Sequence, residues 1–119
     1  MKTGRLTLLI ALAAAVLTVA ANAAAATPKL TGEVGPGFTI ELKQGSKDVK
    51  TLKAGTYTIK VEDKSSIHNF HLIGPGVNKA TTVPFAGTKT WTVKLRPGIY
   101  RYQCDVHATS GMKGKFTVK

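Results

Sequence analysis

The stretch "GIYRYQCDVHATSGMKGKFTVK", residues 98–119, decides how this chain folds. It starts and ends with β-rich runs, "GIYRYQC" and "KGKFTVK", in which apolar and polar residues alternate. Between the two runs lie the single cysteine of the chain, Cys104, and then His107 and Met112. The pattern predicts two strands whose connecting loop carries a thiol, an imidazole and a thioether.

Alternation of the same kind recurs through the preceding sequence. "GTYTIKVED" (55–63) places Tyr57, Ile59 and Val61 on one face, and "TKTWTVKL" (88–95) alternates in the same way. "GFTIELK" and "IHNFHLI" are two further β-rich runs, and turns rich in glycine and proline separate these segments. No segment shows a convincing helical period. We therefore predict an all-β fold, either a sandwich or a Greek-key barrel.

The N-terminus has the pattern of a secretory signal peptide. Lys2 and Arg5 precede about sixteen apolar residues, and the small residues of "ANAAAATPK" follow them. The apolar run is short for a membrane span of about twenty residues, which argues against an uncleaved anchor helix. We expect a signal peptide at 1–23, cleaved after Ala23 or as late as Ala26, and a single domain at 24–119. The mature chain would then reside in the periplasm or outside the cell, without stable membrane insertion.

The charge and the lone cysteine narrow the function classes. Without Lys2 and Arg5 the chain carries 15 basic and 6 acidic residues, a net charge of +9. In an exported chain this favours acidic protein surfaces, anionic envelope polymers or lipid headgroups over nucleic acid. The alternative is that the lysines, which occur in every segment, only keep the domain soluble. One cysteine cannot form an intramolecular disulfide, so the thiol needs another reason to be there.

The donors in the hairpin loop are those of a copper site. Soft sulfur ligands favour Cu(I), imidazole serves both oxidation states, and a weak axial methionine completes a trigonal site of two histidines and one cysteine. Zinc more commonly recruits a second cysteine or a carboxylate. The second histidine is His68 or His71, in "SSIHNFHLIG". On a regular strand these two positions face opposite sides, so only one can reach the metal, and parity alone does not choose between them.

The spacing C-x2-H-x4-M before the last strand, with a His-Asn pair upstream, resembles the cupredoxins, small blue-copper proteins such as plastocyanin, pseudoazurin and amicyanin. The resemblance implies a cupredoxin-like Greek-key β-sandwich or barrel with one type 1 copper. It implies that His68, which directly precedes Asn69, is a ligand, and that Asn69 forms hydrogen bonds near the cysteine-bearing loop. His71 would not be a ligand. The implied metal ligands are His68, Cys104, His107 and Met112.

The resemblance also implies a function. A chain of this kind is expected to be a monomeric one-electron carrier that cycles between Cu(I) and Cu(II), and its positive charge suits redox partners with an acidic docking surface. The edge of His107 would lie near the surface, within a contact patch that includes residues 108–111 and the turn at Pro75. Relatives often have proline before each copper histidine, where this chain has Ile67 and Val106.

Three other functions compete with electron transfer. A copper carrier or chaperone would hand over the metal itself, although a closed site with a thiolate suits retention of the metal. An enzyme would need further histidines for a catalytic copper, and only His71 remains, so we expect no catalysis by this chain. A metal-free adhesion or structural β-domain is the third alternative.

Overall fold

The computed structural model describes residues 3–4, 10–18 and 26–119. Residues 3–4 and 10–18 are exposed and form neither helix nor strand. The predicted signal peptide therefore lies partly outside the described residues, and its predicted cleavage site at Ala23 lies wholly outside them. Among the described residues, no helix is long and apolar enough to cross a membrane.

The described residues form two five-stranded sheets that pack face to face. The first sheet has the strand order β3-β2-β1-β5-β8 and the second has the order β4-β10-β9-β6-β7. The β1–β5 and β4–β10 pairs are parallel, and the other pairs are antiparallel. The strands are β1 Lys29–Val34, β2 Ile40–Gln44, β3 Lys47–Asp48, β4 Thr51–Leu52, β5 Gly55–Asp63, β6 His71–Gly74, β7 Val77–Ala80, β8 Gly87–Leu95, β9 Gly98–Gln103 and β10 Lys113–Val118.

Alternating apolar residues build the core between the sheets. Tyr57, Ile59 and Val61 of β5 are all buried, as their spacing predicts. They meet side chains of the second sheet such as Tyr100 and Phe116, whose rings stack with their centroids 5.3 Å apart. Full burial of such side chains contributes about 1.5–3 kcal/mol each. The prediction of an all-β sandwich is confirmed, and the helical content of the described residues is one three-residue 3-10 turn, Ala108–Ser110.

The turn at Pro75 lies at the end of the second sheet opposite to Cys104. The Tyr100 hydroxyl donates a hydrogen bond to the Pro75 carbonyl at 2.7 Å, and Pro75 packs beside Gly98, the first residue of β9. Cys104 follows the last residue of β9. The expectation that Pro75 belongs to the contact patch around His107 is therefore wrong.

The run "IHNFHLI" is a strand only in its second half. Strand β6 begins at His71, and the three preceding residues, His68, Asn69 and Phe70, are buried one after another. Hydrogen bonds with Thr81 hold this irregular segment: the Thr81 amide donates to the Phe70 carbonyl at 3.0 Å, and the Phe70 amide donates to the Thr81 hydroxyl at 2.9 Å. The parity argument for the two histidines assumed a regular strand, and that assumption is wrong.

Candidate metal centre

Three donor atoms converge at one end of the sandwich. His68 Nδ1 lies 3.0 Å from His107 Nδ1. Cys104 Sγ lies 3.7 Å from His68 Nδ1 and 3.5 Å from His107 Nδ1. All ligand atoms of these three residues fall within 4.8 Å of one another. The structure therefore brings the imidazole of His68 to the thiol of Cys104, 36 residues later in the sequence, and to the imidazole of His107 in the same loop.

These separations fit a single metal ion between the three atoms. Bonds of about 2.0 Å to nitrogen and about 2.3 Å to sulfur, in a trigonal plane, separate the ligand atoms by about 3.5–3.7 Å. The two sulfur–nitrogen distances have these values, and the nitrogen–nitrogen distance is somewhat shorter. Two imidazoles and one thiol form the donor set of a copper site.

Met112 faces the same interior as Cys104. The Cys104 amide donates to the Met112 carbonyl at 3.0 Å, which extends the β9–β10 ladder one step beyond the Gln103–Lys113 pair. Residues opposite one another in an antiparallel pair project to the same face, with Cβ atoms about 4.5–5.5 Å apart. Cys104 and Met112 are both buried. The sheet thus places the Met112 side chain next to that of Cys104 on the same buried face.

The loop between the two sulfurs turns tightly around His107. The His107 amide donates to the Cys104 carbonyl at 3.1 Å, and the Met112 amide donates to the His107 carbonyl at 3.2 Å. The 3-10 turn follows directly, and Gly111 ends it with a φ of 99°, in the left-handed region that glycine adopts without strain. These bonds hold the imidazole of His107 toward the cluster while leaving it partly exposed.

The ring of Phe38 packs against the donor cluster, and sequence reasoning did not identify this residue. Its ring packs edge-on against both imidazoles, with centroid distances of 5.1 Å to His68 and 4.9 Å to His107. Its side chain is 66% exposed. Ile67 and Val106, each preceding a histidine, are also exposed, and we call these three side chains the apolar rim. The sequence feature that could have identified Phe38 is its position directly after the first Gly-Pro-Gly turn. Gly35, the first residue of that turn, packs beside His68.

The Nε2 side of the His68 ring is held by packing rather than by a hydrogen bond. His68 is fully buried, and its Nε2 has no hydrogen-bond partner among the described residues. The Phe38 ring and the backbone of Gly35 lie against it. A metal bound at Nδ1 requires that the ring proton lie on Nε2. The orientation of Nδ1 toward the cluster therefore depends on these apolar contacts.

Asn69 links the His68 segment to the loop that follows Cys104. Its side-chain amide donates to Asp105 Oδ2 at 2.9 Å and to the Thr81 carbonyl at 3.2 Å. Its side-chain carbonyl accepts a bond of 2.7 Å from the Asp105 amide. Asn69 is buried, so these bonds are shielded from water. They fix the distance between the two segments that supply His68 and Cys104.

Asp63 supports the same segment from the first sheet. Its carboxylate accepts hydrogen bonds from the Thr81 hydroxyl at 3.0 Å and from the Ser65 amide at 3.2 Å. Burial raises the pKa of Asp63 above its ordinary value, although these two bonds and the nearby His68 act in the opposite direction. Thr81 thus connects the end of β5 to the backbone just after His68, and sequence reasoning did not identify it.

His71 lies outside the cluster and pairs with Asp105. Its Nδ1 lies 2.8 Å from Asp105 Oδ1, and its Nε2 lies 2.6 Å from Asn78 Oδ1. Burial lowers the pKa of His71, but the bonds to Asn78 and Asp105 outweigh it and leave that pKa raised. Burial on its own would raise the pKa of Asp105. Hydrogen bonds from Gln103, His71 and Asn69 outweigh that effect and hold the pKa of Asp105 below its usual range. Both ring nitrogens of His71 are occupied by acceptors, which suits its protonated form.

The structure resembles solved copper proteins. Reduced rusticyanin is 24% identical to this chain, and the match covers 76% of this chain and 78% of rusticyanin, with a TM-score of 0.55. Reduced rusticyanin solved by NMR is 25% identical over 76% of each chain, with a TM-score of 0.51. A multi-copper oxidase from Pediococcus acidilactici is 16% identical and has a TM-score of 0.53, and the match covers 98% of this chain but 31% of the oxidase. No protein-family model matches the sequence.

Proposed function

The chain has the cupredoxin fold, and from this premise we propose that it is a blue-copper protein that carries single electrons between redox partners. The observation that carries the proposal is the meeting of Cys104 Sγ with the Nδ1 atoms of His68 and His107, beside the buried Met112. We assign the copper ligands to these four residues. Asn69 is the residue that positions the two ligand-bearing segments.

The scaffold suits reversible electron transfer. Bound copper supplies two oxidation states that differ by one electron. The residues of this chain hold the donor atoms close together, because His68 and Cys104 are fully buried and the β9–β10 ladder fixes Met112. Donors held in this way by packing and hydrogen bonds move little, so little rearrangement accompanies gain or loss of an electron.

The apolar rim provides the route to a partner. His107 is partly exposed, and the Phe38 ring that packs against it is largely exposed. A protein that covers the rim would therefore come within van der Waals distance of a ligand side chain and exclude water from the contact. Two of the similar structures are of rusticyanin in its reduced form.

We do not assign a catalytic reaction to the chain. Beyond the two ligand histidines, the remaining histidine is His71, and it is engaged with Asp105 and Asn78. The match to the multi-copper oxidase covers less than a third of that enzyme and supports a shared fold.

We further propose that residues 1–23, or up to Ala26, are a signal peptide, that 24–119 is the exported monomeric domain, and that its partners are acidic redox proteins.

Spectroscopy of the copper-loaded protein tests the function. Cu(II) should produce an intense thiolate charge-transfer band that disappears in Cys104→Ser and His68→Ala, survives in His71→Ala, and cycles reversibly on reduction and reoxidation. A colourless protein, or one that needs His71 but not His68, would contradict the assignment. Ready loss of copper to a chelator would instead favour a copper carrier. The mass of the mature protein recovered after export locates the cleavage site.

A further inference from the structure

Acidic residues are distributed unevenly between the two sheets. Five of the six acidic residues of the chain lie in strands of the first sheet: Glu33, Glu41, Asp48, Glu62 and Asp63. The sixth, Asp105, lies in the ligand loop and pairs with His71. The five strands of the second sheet therefore contain no carboxylate side chain. The five acidic residues of the first sheet all lie between positions 33 and 63 of the sequence.

Three cations stand side by side on the outer face of the second sheet. Arg101 lies directly opposite Lys115 in the β9–β10 pair, and Lys113 projects to the same face two residues earlier. All three are exposed, and none forms an ion pair with a carboxylate in the described part of the chain. Like charges at opposite positions destabilise an antiparallel pair. The folded chain thus holds three cations together without an ion pair to an acidic group of the described residues, and the carboxylate of Asp105 accepts a hydrogen bond from the neighbouring Gln103 at 2.9 Å.

These cations line a groove that ends at the ligand loop. The groove has a volume of about 570 Å³, and its walls are formed by Arg101, Gln103, Lys113, Lys115, Ala108 and Thr109. Ala108 and Thr109 belong to the 3-10 turn that directly follows His107. A molecule held by the three cations would therefore also touch the loop that carries His107 and Met112.

We propose that this groove is the docking surface for an acidic segment of the protein that exchanges electrons with the chain. Carboxylates in the groove would neutralise the cluster formed by Arg101, Lys113 and Lys115, and the same contact would hold the partner beside the ligand loop. An anionic membrane or envelope polymer meets the same cations, but it gives no reason for the groove to end at a metal-ligand loop. Identification of the occupant as a redox protein rests on the proposed function, whereas binding of an acidic segment does not.

A titration of the full-length, metal-free protein with a decaglutamate peptide tests the proposal. Amide NMR shifts should change along the groove walls, and the affinity should fall about tenfold in the triple variant Arg101→Gln, Lys113→Gln, Lys115→Gln. The matched control removes the same charge from exposed positions on or near the first sheet, with substitution of Lys29, Lys47 and Lys94 by Gln. That control should lose about twofold or less.

Two results would overturn the docking proposal, and a third would separate it from the proposed function. Equal weakening by the two triple variants would overturn the proposal, because net charge alone would then explain binding. Groove-dependent binding to phosphatidylglycerol vesicles without binding to decaglutamate would overturn it in favour of a membrane surface. If decaglutamate binds in the groove while the copper-loaded protein fails to cycle reversibly, the acidic docking surface stands and the electron-transfer function fails.

Discussion

Replacement of Asn69 by alanine should destabilise the metal-free protein more than any other single polar substitution near the centre. The change removes two bonds to neutral groups, the Thr81 carbonyl and the Asp105 amide, and one bond to the Asp105 carboxylate. Neutral bonds contribute about 1 kcal/mol each, and a bond to a charged group contributes about 1.5–3 kcal/mol. The Asp105 side chain is 42% exposed, so water partly replaces the lost donor. We expect a loss of about 3–4 kcal/mol in the free energy of unfolding.

Urea unfolding of the metal-free protein measures this loss directly. The matched control is Asn78→Ala, which removes one bond, to His71, at an exposed position and should cost about 1 kcal/mol or less. The copper-loaded Asn69→Ala variant should also bind the metal more weakly, because the His68 and Cys104 segments are no longer tied together. A loss below about 1 kcal/mol, or one equal to that of the control, would refute the view that Asn69 links these segments.

Three further predictions concern packing, charge and metal. Gly74→Ala should lower the free energy of unfolding by about 1–3 kcal/mol, because its added Cβ would overlap the Tyr100 ring, and unchanged urea unfolding would contradict this. The folded pKa of His71 lies above its unfolded value of 6.5, so its contribution is full below that pH and is lost as pH rises through the folded pKa. The stability advantage of the metal-free wild type over His71→Gln should therefore shrink as pH rises from about 6 to about 8, and an advantage that grew would exclude a protonated His71. Copper at about a hundredfold excess over its Kd should stabilise the wild type by about 2.7 kcal/mol, seen as a higher Tm, and an equal rise in Cys104→Ser would contradict the role of the thiol.

The strands that sequence analysis predicted most clearly are those with one face buried and the other exposed to solvent. In β5 the alternation of Tyr57, Ile59 and Val61 matches the pleat, because each of these residues is buried according to its parity. The same logic failed for His68 to Phe70, since three consecutive buried residues have no alternation to read. Their conformation depends on Thr81, which lies more than ten residues away in the sequence and forms its bonds only in the folded chain.

The types of donor group in the cluster could be predicted from the sequence, whereas the residues that contact those donors could not. A thiol, an imidazole and a thioether within nine residues already indicate copper, because few other sites use that combination. The contacts of Phe38 with both imidazoles require the loop after β1 to fold over the end of the sandwich, and no local pattern encodes that. The pairing of His71 with Asp105 likewise joins residues 34 apart in the sequence.

The pairing of Cys104 with Met112 makes the placement of these two residues independent of the shape of the loop between them. The placement of Cys104 opposite Met112 follows from the strand ladder, which continues through the bond between the Cys104 amide and the Met112 carbonyl. Asp105 is held by Asn69, so the part of the loop that is free to differ in length and shape is 106–111, provided that it keeps His107 and that the ladder still closes. Evolution, or a protein engineer, could exchange that segment as a cassette to retune the exposure of the histidine it carries, without disturbing the sulfur pair beneath it.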